Sequence, residues 1–151
     1  MLKKIYLANA YGFSSQCSTL LHPVIKKLSD LGAEVWEPFS RCANLKLSSY
    51  AIGQKNLADL SQCDGVFAIV NGCPPDEGIS FELGYAAALG KPVFLFRDDF
   101  RVVSDGDYPL NLMLFTGLPE DTWKTYYYTR LEELSDPDKA LVQWLKNKLA
   151  R

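Results

Sequence analysis

Residues 65–96 read GVFAIVNGCPPDEGISFELGYAAALGKPVFLF. The run GVFAIV at 65–70 is apolar on both faces, and PVFLF at 92–96 is another of the same kind; such strands belong in the middle of a parallel sheet covered by helices on both sides. Between them lies one helix with a start and a stop. Pro74, Pro75 and Asp76 open it, with Asp76 placed to cap the free N–H groups and gain from the helix dipole. Gly90, Lys91 and Pro92 close it. Two strands of this type joined by a helix form a parallel unit, because parallel neighbours need a crossover.

The alternation continues on both sides of this unit. Residues 3–8, KKIYLA, begin a strand that runs into the polar turn NAYGFSS. A helix is expected from about residue 15 to 31, on the recurrence of Leu20, Leu21, Val24, Ile25 and Leu28, with Gly32 as its stop and Pro23 as a local distortion. A short strand at 33–36 leads into the loop EPFSRCANLKLSS, and a helix follows over 50–63 with Ser48 or Ser49 as its cap. After 92–96 come a polar loop, RDDFRVVSDGDYP, a short helix ending near Gly117, a last strand at 123–129 and a closing amphipathic helix striped by Leu141, Leu145 and Leu149.

Five strands alternating with helices predict an α/β protein, a doubly wound parallel sheet of flavodoxin-like order 2-1-3-4-5 with helices on both faces. At 151 residues the chain is the size of one domain, and residues 1–151 are expected to form it. In that fold the ligand crevice lies beyond the carboxyl ends of strands 1 and 3, here NAYGF and NGCPPDEG.

Composition narrows the function. Hydrophobic residues at 48% and charged residues at 23% are ordinary for a globular chain. A net charge of −2 with no long Lys/Arg block argues against a nucleic-acid partner. No apolar run is long enough to cross a membrane, and the start MLKKIYLANAYGF is too broken for a signal peptide, so a cytoplasmic protein is expected. Cys17, Cys42, Cys63 and Cys73 match no zinc or redox spacing and read as reduced, partly buried side chains. One histidine, His22, reads as a surface or packing residue and leaves little for a metal site or a Ser/His/Asp triad.

Glu82 is the anomaly. Ile79, Glu82, Ala86 and Leu89 fall on one apolar stripe of the central helix, so the carboxylate resists ionising unless a donor compensates it. Pairing with a lysine at the edge of the stripe is the plainer account of such a glutamate; against it stands the position of the helix, which begins at the predicted crevice. Asp76 suits either a helix cap or a second functional carboxylate. Two carboxylates at one crevice, one near solvent and one in an apolar wall, suit glycosidic chemistry by a retaining mechanism.

The stretches IYLANAYGF, CDGVFAIVNG with CPPDEG and ISFELGYAAALGKPVFLF, and YPLNLM resemble the nucleoside 2-deoxyribosyltransferases. The resemblance covers roughly residues 4–115, with D-x-G-x-x-x-E-L-G-x-A as its most specific part. It implies an enzyme of deoxyribonucleoside metabolism that moves a 2-deoxyribosyl group between nucleobases through a covalent intermediate on a glutamate, without metal or organic cofactor. Its substrates would be 2′-deoxynucleosides and free purine or pyrimidine bases.

Carried over by position, Glu82 matches the nucleophile, Asp76 the carboxylate on the deoxyribose hydroxyls and Tyr6 the tyrosine that orients the nucleophile. Asn111 matches an asparagine that reaches the sugar in a neighbouring subunit's site, with Met113 beside it, which implies a homo-oligomer with shared active sites. Tyr11 and Phe13 are assigned to stacking on the base, and Gly78 to letting backbone or ligand come close. Where the family commonly has an aspartate that contacts the base, this chain has Asn56, which cannot give up a proton as an acid does; Asp59, about a turn later, is the candidate substitute.

The bland alternatives are that Tyr6 is a sheet aromatic, that Asn111 caps a helix and that Tyr11 and Phe13 fold back over the core. Two other functions stay open. One is a glycosidase that hydrolyses deoxynucleoside 5′-monophosphates, with Ser14 and Ser15 as the phosphate cradle. The other is a non-enzymatic nucleotide-binding module. A phosphoacceptor receiver is set aside, because Asn9 and Asn71 stand where it would need acidic residues.

Overall fold

The computed structural model describes residues 2–14, 17–101 and 104–147. Five parallel strands form one sheet, β1 (Lys3–Ala8), β2 (Ala33–Trp36), β3 (Gly65–Ile69), β4 (Val93–Phe96) and β5 (Tyr127–Tyr128), in the order β2-β1-β3-β4-β5. This is the flavodoxin-like arrangement expected from the alternation of elements. The period-2 alternation of strand side chains divides the core. Tyr6, Ala8, Val66, Ala68, Val93 and Leu95 pack on one face against Leu60 of α3 (Ser49–Gln62) and Ile79, Leu83 and Ala86 of α4 (Glu77–Ala88). Ile5, Leu7, Phe67, Phe94 and Phe96 pack on the other, against Leu21, Val24 and Leu28 of α1 (Leu21–Asp30) and Ala140 and Leu141 of α5 (Ala140–Lys146).

Several boundaries differ from those expected. The first helix starts only at Leu21, after short 3-10 turns at Tyr11–Phe13 and Cys17–Leu20, while residues 15–16 lie outside the described residues. Pro23 is therefore in the first turn, where its missing N–H breaks no ladder bond, and it is not a distortion in mid-helix. The loop after β2 contains α2 (Pro38–Cys42), opened by Pro38 and by Glu37, whose carboxylate accepts from the N–H groups of Phe39 and Ser40.

The helix expected to end near Gly117 is a 3-10 turn at Leu112–Leu114. The last strand is reduced to two residues, because Trp123–Tyr126 forms a 3-10 turn that stacks Tyr126 on Phe94 with ring centroids 5.8 Å apart. Leu149 of the closing stripe lies outside the described residues. Cys73 is exposed rather than partly buried, Cys17 and Cys42 are half-buried and Cys63 is buried. Among the described residues no helix is long and apolar enough to cross a membrane.

Candidate active site

Tyr6 leaves β1 on the α3 and α4 face and is fully buried at 0 % exposure. Its hydroxyl donates to Glu82 Oε1 at 2.6 Å. The odd glutamate of the apolar stripe thus has a donor, and the donor comes from the neighbouring sheet rather than from a surface lysine. Burial pushes the Glu82 carboxyl up from an ordinary 4.5 to about 7; the Tyr6 hydrogen bond pulls it down and the charge of Asp76 pushes it further up. The Tyr6 phenol is itself driven up, first by burial and then by Glu82, so it stays a donor.

Asp76 is the N-cap of α4, accepting from Ile79 N at 3.1 Å. Its cap role is real, and from its half-buried position at the start of α4 it lies within electrostatic reach of Glu82 further along the same helix. Gly78 is what makes room there. A Cβ at Gly78 would stand 3.0 Å from Asp76 Oδ1, tighter than side-chain contacts usually allow.

The wall on the β2 side comes from the loop after β1 and from α2. Asn9, buried beyond β1, donates to Leu7 O at 3.1 Å and Glu37 Oε1 at 3.0 Å, and its Oδ1 accepts from the N–H groups of Tyr11 and Gly12. Gly12 lies against the Phe39 ring so closely that a Cβ would come within 2.0 Å of it. Phe13 meets Phe39 edge-on at 4.7 Å and otherwise remains exposed. Sequence reasoning missed Asn9, Glu37 and Phe39, because their pairing depends on contacts across the β1 and β2 loops.

Tyr11 goes elsewhere. Its hydroxyl accepts from Asn71 Nδ2, and its ring packs with the α1-side core beside Leu20, Pro23 and Phe96. The two loop aromatics expected to stack together on the base are therefore parted, with Phe13 on the Phe39 side and Tyr11 on the α1 side.

Asn56 is half-buried on α3, where its Oδ1 accepts weakly from Cys42 Sγ at 3.8 Å. Asp59 does not stand free to replace an acid at that position. At 5 % exposure it takes a two-pronged hydrogen bond from Arg41, at 2.8 and 3.0 Å, and an ion pair from Lys55. The Arg41 hydrogen bonds hold its carboxyl below the ordinary range, so it stays ionised. The Arg41 guanidinium carbon in turn sits over the Trp36 ring, 3.7 Å from its centroid.

Asn111 caps its own 3-10 turn, accepting from Met113 N at 2.9 Å. Together with Met113 it lines a cavity of about 490 Å³ that also includes Pro74, Pro75, Leu83 and Gly84. This cavity lies along α4 and contains neither Glu82 nor Asp76. Ser14 of the alternative phosphate cradle accepts from Cys17 N at 3.4 Å, and Ser15 is outside the described residues.

The family description of nucleoside 2-deoxyribosyltransferase matches residues 5–113. A 2-deoxyribosyltransferase from Leishmania mexicana shares the fold with a TM-score of 0.67 and 27% identity over 86% of this chain and 92% of that one. A 2-deoxyribosyltransferase from Bacillus psychrosaccharolyticus aligns with a TM-score of 0.68 and 25% identity over 92% of this chain and 95% of that one. A CMP N-glycosidase from Clostridium botulinum, at 20% identity and a TM-score of 0.55 over 95% and 97% of the two chains, shares the fold. No curated protein matches the chain. The matched segment holds Tyr6, Asn56, Asp76, Glu82 and Asn111, and on that match the chain belongs to the nucleoside 2-deoxyribosyltransferase family.

Proposed function

We propose that the protein transfers a 2-deoxyribosyl group between nucleobases by a retaining double displacement on Glu82. The observation that carries this reading is the 2.6 Å hydrogen bond from Tyr6 to a carboxylate that burial drives up to about 7. A carboxylate so placed is poorly solvated and therefore reactive when ionised, and the phenol holds it aimed and favours its charged form.

In the first step a Glu82 carboxylate oxygen bonds to the anomeric carbon while the bond from that carbon to the base nitrogen breaks, and the base leaves with the electron pair. In the second, the nitrogen of an incoming base forms the new bond on the face the first base left, its N–H proton passes to solvent, which in turn protonates the departed base, and Glu82 departs as carboxylate. Two inversions retain the configuration. Asp76 accepts from the hydroxyls of the sugar and selects for deoxyribose. Phe13 covers the base from the Phe39 side. Asn56 meets the base edge with an amide, so the leaving base is stabilised by hydrogen bonding and not by proton transfer from this side chain.

A homo-oligomer completes the site. Asn111 and Met113 lie on a different flank of α4 from Glu82, so they serve a partner's sugar site rather than their own. The outer side of α4 supports this arrangement: Phe81 is 64 % exposed and Met113 68 %, beside the exposed Gly84 and Ala87.

The test is chromatography of purified protein given a purine 2′-deoxynucleoside with and without a different free base. A new deoxynucleoside in the first arm is the expected result. Release of base with no exchange product would favour the glycosidase, and no reaction with any donor, 5′-monophosphates included, would leave a binding module.

A further inference from the structure

Arg97 takes no part in the chemistry described above, yet it is 4 % exposed. It follows β4 directly, its N–H pairing with Tyr128 O at 2.8 Å, and its side chain crosses to the end of β3. Nη1 donates to Val70 O at 2.7 Å and to Gly72 O at 2.9 Å. Nη2 donates to Arg101 O at 2.8 Å and to Cys73 Sγ at 3.5 Å. A buried cation is costly unless its donors are satisfied, and here one planar fork meets four acceptors, three of them on residues 70–73.

The same turn is held from a second side. Gly72 N donates to Asp99 Oδ2 at 2.9 Å, and Asp99 is fixed by the Arg101 guanidinium, whose hydrogen bonds keep its carboxyl well below the ordinary range. Gly72 has a φ of +113°, and a Cβ there would come within 2.7 Å of Pro74 O, so the chain doubles back tightly and Gly72 pairs with Pro75. The residue after that pair is Asp76, and Glu82 lies in the next turns of the same helix.

We propose that Arg97 is a positioning residue for deoxyribosyl transfer. By gripping Val70, Gly72 and Cys73 it sets the turn from which α4 starts, and with it the places of Asp76 and Glu82 relative to the sugar; through Arg101 it ties that turn to the loop after β4. The proposal rests on the roles given to Glu82 and Asp76 above. Lysine in its place would offer a point charge without the planar fork, so it would hold part of the turn and not all of it.

The test compares wild type with Arg97→Met and Arg97→Lys, and with Leu134→Val, a buried change on the opposite face of the sheet. Exchange kinetics are measured below the unfolding midpoint of every variant, and deuterium uptake is followed in residues 70–80. Arg97→Met is expected to lower kcat by about 100-fold, as small misplacements of reacting groups do, with Arg97→Lys between it and wild type. Uptake in 70–80 rises in both Arg97 variants, while Leu134→Val loses stability and keeps its kinetics. Unchanged uptake in Arg97→Met, or kinetics within about twofold of wild type, overturns the proposal. Failure of the wild type to turn over any donor removes the functional reading instead, and the catalytic part of the proposal with it, a result recognisable because the uptake comparison does not depend on turnover.

Discussion

The Tyr6 hydroxyl donates to Glu82 Oε1 at 2.6 Å, joining β1 to α4 across 76 residues of sequence. Tyr6 is fully buried and Glu82 half-buried, so the phenol is the donor that compensates a poorly solvated carboxylate. Because this hydrogen bond lowers the Glu82 pKa, Tyr6→Phe should raise it above about 7. The acid limb of the kcat/KM profile then moves to higher pH, and activity at neutral pH falls by about tenfold or more. An acid limb that stays in place in Tyr6→Phe would show that the bond does not govern the ionisation of Glu82.

The same shift has a consequence for stability. Glu82 ionises at about 7 in the folded chain and near 4.5 when free of burial, so the folded state holds this proton more tightly. Stability contributed by the protonated form is present below the lower value and is lost as pH rises through the higher one. Glu82→Gln removes the loss. The variant should match wild type at low pH and exceed it above neutrality by roughly 1–3 kcal/mol, read from denaturant midpoints across the range. Equal midpoint differences at every pH would contradict the burial account.

Substitution can separate the helix cap that Asp76 forms from the sugar contact proposed for it. Asparagine caps a helix about as well as aspartate, so Asp76→Asn should leave stability within about 0.5 kcal/mol, whereas Asp76→Ala should cost about 1 kcal/mol. Both should raise KM for the donor by about tenfold, since both remove the charged acceptor for the sugar hydroxyls. If Asp76→Asn binds the donor as wild type does, the residue is a cap and nothing more.

Asn56 tests the departure at the base. Asn56→Asp restores an acid on α3 one turn before the Arg41–Asp59 pair, and it should change the preference among free bases or speed turnover. An unchanged acceptor profile, measured by competition between two bases, would mean that residue 56 does not reach the base.

The sheet order was legible because β3 and β4 are apolar on both faces, a pattern that only a covered parallel strand requires, and because the central helix has its cap and stop in sequence. Glu82 stood out for the same reason, as a charge on an apolar stripe. Its partner was legible only through the family resemblance, since Tyr6 alone is an ordinary strand aromatic. What escaped was held by long-range contacts. The five residues of α2 are too few to show a helical period, and Asn9 and Glu37 look like loop residues until the β1 and β2 ends are brought together. Phe13 and Tyr11 are two residues apart in one loop, and the Gly12–Phe39 contact sends one toward α2 while Asn71 holds the other on the α1 side. Arg97 read as one charge in a polar loop, though its side chain is sealed under the turn that starts α4.

The most direct measurement is a mass spectrum of protein quenched after mixing with a purine 2′-deoxynucleoside and no acceptor base. The account predicts a fraction of the protein heavier by one deoxyribosyl group, carried on the peptide that contains Glu82, lost when a free base is added and missing in Glu82→Ala, which itself turns over no donor. Exchange product formed by Glu82→Ala at the wild-type rate, or an adduct on any other residue, would contradict it.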